Sequence, residues 1–240
     1  MKKILYFLIP LATLTSCDYF QKIKPSGKLI TKEITQDPIF TINNSSSYDI
    51  VFSNEIPKNT VYIKGDEKFV ENIQIEFNNG SITFDNKKNT NTNIINNNDV
   101  KILVNAPDIT SLNIHGASDI SAPNFIFKNE LKLVISGTGD IDIEIKNEST
   151  DVSISGAGDV TLKGITKNFT ANISGTGDLD AKQFIAKNGF IGISGVGDAK
   201  VHVTEQLNAN VSGTGSLSYK EVSNLNIQKS ISGVGSIDSY

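Results

Sequence analysis

The sequence predicts an all-β protein: a right-handed parallel β-helix with about 20 residues per coil, preceded by a β-rich N-terminal entry region. Three observations predict it. A short phrase recurs as I-S-G-T-G-D from Ile135, I-S-G-A-G-D from Ile154, I-S-G-T-G-D from Ile173 and I-S-G-V-G-D from Ile193, then as V-S-G-T-G-S from Val211 and I-S-G-V-G-S from Ile231. With the worn copy I-H-G-A-S-D from Ile114, the starting residues are 21, 19, 19, 20, 18 and 20 positions apart. Around each phrase the apolar residues share one parity, the mark of strands with one buried face.

The parity shows in three rows. Two residues before the lead position stand Leu133, Val152, Ala171, Ile191 and Ala209, with Lys229 breaking the row. Directly after the Asp or Ser stand Ile141, Val160, Leu179, Ala199, Leu217 and Ile237. Two further on come Ile143, Leu162, Ala181, Val201 and Tyr219. A coil of this length is about 65 Å of extended chain, a fitting perimeter for three short sides, and each coil adds about 4.8 Å along the axis. Leucine-rich repeats need an Asn or Cys position in a Leu scaffold, and a propeller needs about twice the period. The handedness follows from the crossover rule for parallel strands.

Twelve of the 19 glycines lie in the six intact phrases. Either the chain turns there with positive φ, or it runs straight past a space too cramped for a Cβ; the sequence leaves both open.

The chain begins with Lys2, Lys3 and a mostly apolar run from Ile4 to Leu14, the pattern of an export signal. Leu14-Thr15-Ser16-Cys17 then resembles the lipobox of bacterial lipoproteins, which implies that Cys17, the sole cysteine, carries the lipid. Residues 1–16 are thus expected to be a lipoprotein signal peptide and 17–37 the lipidated cysteine and a tether. Residues 38–240 are expected to form one β-helical domain, with the phrase repeats over 114–237. The membrane, reached through the lipid, is the first expected partner, and the expected place is the outer membrane of the cell envelope, on its surface or its periplasmic face.

Between tether and repeats, apolar residues alternate at Phe40 and Ile42, at Ile50 and Phe52, and at Ile73, Ile75 and Phe77. Asn79-Gly80 then separates Phe77 from Ile82 and Phe84, which suits a hairpin or a corner between coils. The 86–99 stretch is rich in asparagine and has almost nothing to bury, so it reads as a surface loop. Val100, Ile102 and Val104 alternate again, and no amphipathic helix is evident.

Charge excludes one class of partner. Of the 22 lysines, 20 remain after Cys17 against 26 acidic residues, a net of −6, so no nucleic-acid footprint is present. There is no arginine to clamp carboxylates or phosphates as a fork.

The sharpest chemical feature is the row Asp119, Asp140, Asp159, Asp178 and Asp198. Stacked carboxylates can bind calcium, but each can also accept hydrogen bonds from nearby turn amides, and Ser216 and Ser236 suit only the second role. No metal site and no cofactor is assigned on these grounds. Catalysis has less support still: His115 and His202 lie about four coils apart beside no evident nucleophile, and the serine row from Ser136 to Ser232 has no base. An enzyme of the polysaccharide-lyase kind remains an alternative by fold analogy alone. No catalytic residues are assigned.

The phrase at this period, with the stretch A-P-D-I-T-S-L-N-I-H-G-A-S-D-I before it, resembles the head GIN domain family, named for putative auto-transporter adhesins. The resemblance implies a β-helical protein of the cell envelope whose role is adhesion or scaffolded binding to a protein or glycan. A purely structural part in the envelope is the alternative. Ser118 in place of the second glycine, and the last two Ser-for-Asp exchanges, depart from the pattern. The final phrase lies three residues before Tyr240, so either coverage of the last coil from elsewhere or self-association there is expected.

Overall fold

Strands β8 (Ser111–Ile114), β10 (Leu131–Ile135) and β12 (Ser149–Ile154) each lead into a phrase and pair in parallel, lead isoleucine on lead isoleucine. In the three longest strands, β13 (Val160–Ile173), β14 (Leu179–Ile193) and β15 (Ala199–Val211), the chain runs from one phrase to the next without leaving the sheet. Their second halves continue the face that enters the phrases, which β17 (Asn226–Ile231) extends. Their first halves join β9 (Ile120–Phe127), β11 (Ile141–Lys146), β16 (Leu217–Tyr219) and β18 (Ile237–Ser239) in the face that leaves the phrases. These coordinates are a computed structural model, and they describe residues 23–87 and 100–240.

The result is the parallel β-solenoid that the period predicts. Pairing of β13 with β14 falls into runs at 160–161, 163–166 and 168–173, with a register shift after the first, so each coil has three short sides. The predicted inward rows are buried: Leu133, Ala171, Ile191, Val160 and Leu162 are all at most 1% exposed. One apolar core runs the length of the molecule.

The entry region is wound into the same solenoid. Strands β2 (Thr41–Asn44) and β3 (Ile50–Phe52) pair in parallel with β8 and β9, placing Asn44 beside Ile114 and Ile50 beside Ile120. Asn44-Ser45-Ser46-Ser47-Tyr48-Asp49 therefore occupies the place of a phrase. On the far side of this coil lie β6 (Ser81–Asn86), parallel to β2, and β7 (Val100–Asn105), parallel to β3. The coil made of β2 and β3 is thus held between a later pair and the first repeat, an order of winding that no periodicity announces. Residues 88–99, most of the asparagine-rich stretch, join β6 to β7 and lie outside the described residues, as does Cys17.

An antiparallel cap closes this end. Strand β4 (Thr60–Asp66) pairs with β7 on one side and with β1 (Leu29–Thr35) on the other, and β5 (Ile73–Asn78) pairs with β6. The β5–β6 connection is the hairpin: Asn79 and Gly80 both have positive φ, 46° and 76°, as a two-residue type I′ turn requires. Residues 29–35, assigned to the tether from sequence, instead form β1. A helix is also present: α1 (Glu67–Asn72) buries Phe69 and Val70 over the open end of the core. Six residues are too few to show a helical period, so only its cap is legible in the sequence, and only after the fact.

Asp66 is that cap. Its carboxylate accepts from the Lys68 N–H at 3.0 Å, the Gly27 N–H at 2.7 Å and the Ser26 hydroxyl at 3.0 Å, tying the incoming chain to the helix start. Burial alone would raise its pKa, but these donors outweigh burial and hold it below the usual aspartate value. A folded-state pKa below the unfolded one contributes stability that is present above the unfolded value and lost as pH falls through the folded value. Urea midpoints of the wild type are therefore expected to drop more steeply below about pH 4 than those of Asp66→Asn. Equal slopes would remove Asp66 from the account.

Candidate functional site

The phrase corners come first, because sequence reasoning placed its candidate residues there. The phrase glycines do not have positive φ; among the described glycines that conformation occurs at Gly27, Gly80 and Gly164. What excludes a side chain is the neighbouring coil. A Cβ on Gly175 would lie 2.0 Å from the carbonyl oxygen of Gly156, and one on Gly177 would lie 2.1 Å from that of Gly158. The closest crowding is thus backbone against backbone along the axis, with a core side chain adding to it at the second glycine, as Ile154 Cγ2 does 3.0 Å from a Cβ on Gly177. Ser118 stands over a coil that carries Tyr48 in place of a glycine and Asn44 in place of an isoleucine. The Asn44 amide donates to Ser118 Oγ at 2.8 Å and to the Tyr48 carbonyl at 2.9 Å.

The aspartate row is a ladder of hydrogen bonds. Each Oδ1 accepts the backbone N–H of the aspartate one coil on: Asp140 from Asp159, Asp159 from Asp178, and Asp178 from Asp198, all at 2.7 Å. Asp198 accepts from the Ser216 N–H at 2.6 Å. The ladder starts one coil earlier than the repeats suggest, since Asp49 accepts from Asp119 at 3.0 Å. The expectation that turn amides satisfy these carboxylates holds, with the amide supplied by the next coil. The serines support the same corner: the Ser155 N–H donates to the Ile135 carbonyl at 2.8 Å, and its Oγ lies 3.3 Å from the same oxygen.

One pair was not foreseen. His115 Nδ1 lies 2.8 Å from Ser136 Oγ, because the worn copy puts histidine where the other phrases have serine. Both side chains are exposed, and among the described residues no carboxylate bonded to His115 is recorded, so the third member that would orient a base is not in place. At His202 burial, and then the Lys220 ammonium, hold the imidazole below its ordinary pKa against the opposing bond to the Lys182 backbone.

The remaining candidate is a face. Where β13, β14, β15 and β17 enter the phrases, their outward positions form three rows across the coils. Asn168, Asn188, Gln206 and Asn226 make the first row, and Thr170, Phe190, Asn208 and Gln228 the second. Asn172, Gly192, Asn210 and Ser230 make the third. None of these is charged. The ion pairs Lys167–Glu148 and Lys187–Glu205 flank the face, and Lys163–Asp142 and Lys182–Asp180 lie elsewhere on the coil.

Two shallow depressions, of about 440 Å³ and 200 Å³, lie on this face, and the Phe190 ring borders both. That ring is 47% exposed although its neighbours in the row are polar. Asn188 Nδ2 donates to Asn168 Oδ1 at 3.1 Å, so two amides of the first row are aligned on each other. Sequence reasoning missed the face because it followed only the inward parity. The signal lay in the other parity, where asparagine and glutamine recur after residue 167.

The family model described as "Putative auto-transporter adhesin, head GIN domain" matches residues 38–222. The chain belongs to that family. Its fold is similar to the solved structure of a putative adhesin from Bacteroides fragilis, 26% identical, with a TM-score of 0.84 over 91% of this chain and 100% of that one. A putative adhesin from Parabacteroides merdae is 22% identical with a TM-score of 0.69, over 91% and 99% of the two chains. A protein from Parabacteroides distasonis named a putative lipid binding protein is 23% identical, with a TM-score of 0.68 over 92% and 100%. These last two share the fold alone. Comparison with curated proteins finds no match. The family and the 26% identical structure carry the name of putative adhesins, in keeping with an adhesin-like protein of the cell surface or envelope.

Proposed function

We propose that this head GIN domain protein is a lipid-anchored binding scaffold of the cell envelope, held through Cys17 and engaging its target with the amide face. The uncharged outward rows beside the exposed Phe190 carry this proposal. Geometry gives the scaffold a direction. Ile23 packs against the core, and Ser26 and Gly27 are tied to Asp66, so the tether arrives at the capped end. The stack from β6 to β17 spans nine parallel strands, about 40 Å, and the amide face occupies its far half. A target outside the membrane would meet that half first.

Shaving of intact cells with protease tests the placement. The expected result is loss of the protein from washed cells, and release of Cys17→Ala into the soluble fraction. Full protection from protease would favour a structural part on the periplasmic face, and retention of Cys17→Ala in the membrane would end the lipid anchor.

A second copy of the chain is the other partner we propose. Among the described residues β17 and β18 are each paired along one edge only, with β15 and β16. Lys229 stands in the inward row there; its ammonium lies 4.6 Å from the centre of the Tyr219 ring and donates to the Ile237 carbonyl at 3.0 Å. A cation at that position weakens edge-to-edge pairing. Lys229→Ile is expected to associate at lower concentration than the wild type in light scattering, and two proteins that stay monomeric throughout would overturn self-association.

A further inference from the structure

We infer that the amide face is a binding site for an uncharged glycan chain, with Phe190 as the stacking platform; this rests on the scaffold proposed above and names its ligand. Chemistry selects the class. Each carboxamide offers both donors and an acceptor, so a field of them meets hydroxyl groups in either role without favouring one charge. Sugars are dense in hydroxyls and present an apolar face of C–H groups, which an exposed aromatic ring covers. Phe190 is the one aromatic in the three rows, and both depressions border it, so saccharide units on either side share a single platform.

The other classes fit less well. Nucleic acid and sulfated or acidic polymers need cations, and these rows hold none. Protein interfaces concentrate Trp, Tyr and Arg around a desolvated centre, whereas this face is shallow and dominated by amides.

Spacing adds an independent point. Successive coils repeat at about 4.8 Å, so a polysaccharide laid along the axis passes the amides of Asn168, Asn188, Gln206 and Asn226 in turn. The Asn188–Asn168 bond at 3.1 Å orients two of these amides before any ligand arrives, which lowers the ordering cost of binding.

Titration calorimetry and an array of neutral, uronic and sulfated glycans test this on the full chain. Binding of neutral oligosaccharides is expected, strengthening with chain length, with Phe190→Ala weakening it about tenfold at unchanged melting temperature. Thr161→Ala, on the face that leaves the phrases, should bind like the wild type. Preference for acidic glycans, no neutral binding up to millimolar ligand, or full affinity in Phe190→Ala would overturn the inference. Adherence of whole cells separates the two levels. Cells that adhere through this protein equally well with Phe190→Ala would sink the glycan site and keep the scaffold. Cells whose adherence survives deletion of the protein would sink its role in adhesion, while the binding data would still judge the site. Release of reducing sugar on incubation would instead indicate cleavage and overturn a site for binding alone.

Discussion

Gly175→Ala is expected to lower the melting temperature by about 10 °C, while Gly192→Ala leaves it unchanged or slightly raised. Both glycines lie in or beside the same coil, both lack positive φ, and both substitutions add one methyl group. They differ in what the methyl meets. At Gly175 it would stand 2.0 Å from the Gly156 carbonyl oxygen and 2.7 Å from the Ser155 carbonyl carbon, all of it backbone. Relief requires moving two coils apart where their hydrogen bonds are made, which exceeds the usual overpacking cost of 1–3 kcal/mol; about 3 kcal/mol or more is expected. At Gly192 the nearest atom is the amide oxygen of Asn172 at 3.1 Å, the mobile tip of an exposed side chain. There the smaller entropy of the unfolded chain decides the sign, worth about 0.4–1 kcal/mol in favour of alanine. Similar shifts in the two variants would show that axial crowding is not why the phrase is glycine-rich.

The inward half of the fold was legible because strict repetition writes the same parity many times. Leu133 through Ala209 fell in one row on sequence and fall in one row in space. The glycine requirement was legible as a fact but not as a cause, because an axial neighbour is about 20 residues away in sequence and its carbonyl leaves no trace in local pattern. The requirement persists at Gly116, where a Cβ would lie 2.1 Å from the Ser46 carbonyl oxygen, and lapses at the other early positions, where Ser46, Tyr48 and Ser118 appear. That lapse also hid the coil of β2 and β3, whose corner shares with the others little beyond Asp49. The antiparallel cap was illegible for a different reason. Strand β1 and helix α1 are fixed by long-range partners, β4 and the exposed end of the core, and neither carries a period of its own. The amide face is a subtler case: outward positions are free of packing constraint, so their composition carries information about solvent and ligand rather than fold. The amide face lies where the repeat is most regular, so a search for breaks in the repeat does not find it.

Asp178→Ala is expected to lower the melting temperature by about 1–3 °C, and Asp178→Asn to leave it nearly unchanged. Alanine removes the acceptor at 2.7 Å from the Asp198 N–H, and water reaches this exposed corner, so the loss falls at the lower end of a charge-assisted bond, about 1.5 kcal/mol. Asparagine keeps a carbonyl acceptor in the same place. It forfeits the charge assistance, roughly half of the bond, or about 0.8 kcal/mol. Against that, either substitution removes the repulsion with Asp159 and Asp198, about 0.8 kcal/mol for each at a spacing near 5 Å in water and about half of that at physiological salt, so about 0.8 kcal/mol for the two together. For asparagine loss and gain nearly cancel, whereas alanine keeps a net loss of about 0.7 kcal/mol, so the neutral amide is tolerated and the absent acceptor is not. A metal-binding row predicts the reverse order of sensitivity. Calcium would then raise the wild-type melting temperature, and Asp178→Asn would abolish the rise. With the Oδ1 atoms committed to backbone N–H groups, millimolar calcium is expected to move neither protein by more than about 1 °C, since metal that binds only the native state stabilises in proportion to RT ln(1 + [L]/Kd). A calcium-dependent rise lost in Asp178→Asn would make the ladder a cation site; the same melting temperature with and without calcium, alongside a destabilised Asp178→Ala, would establish it as the staple between coils.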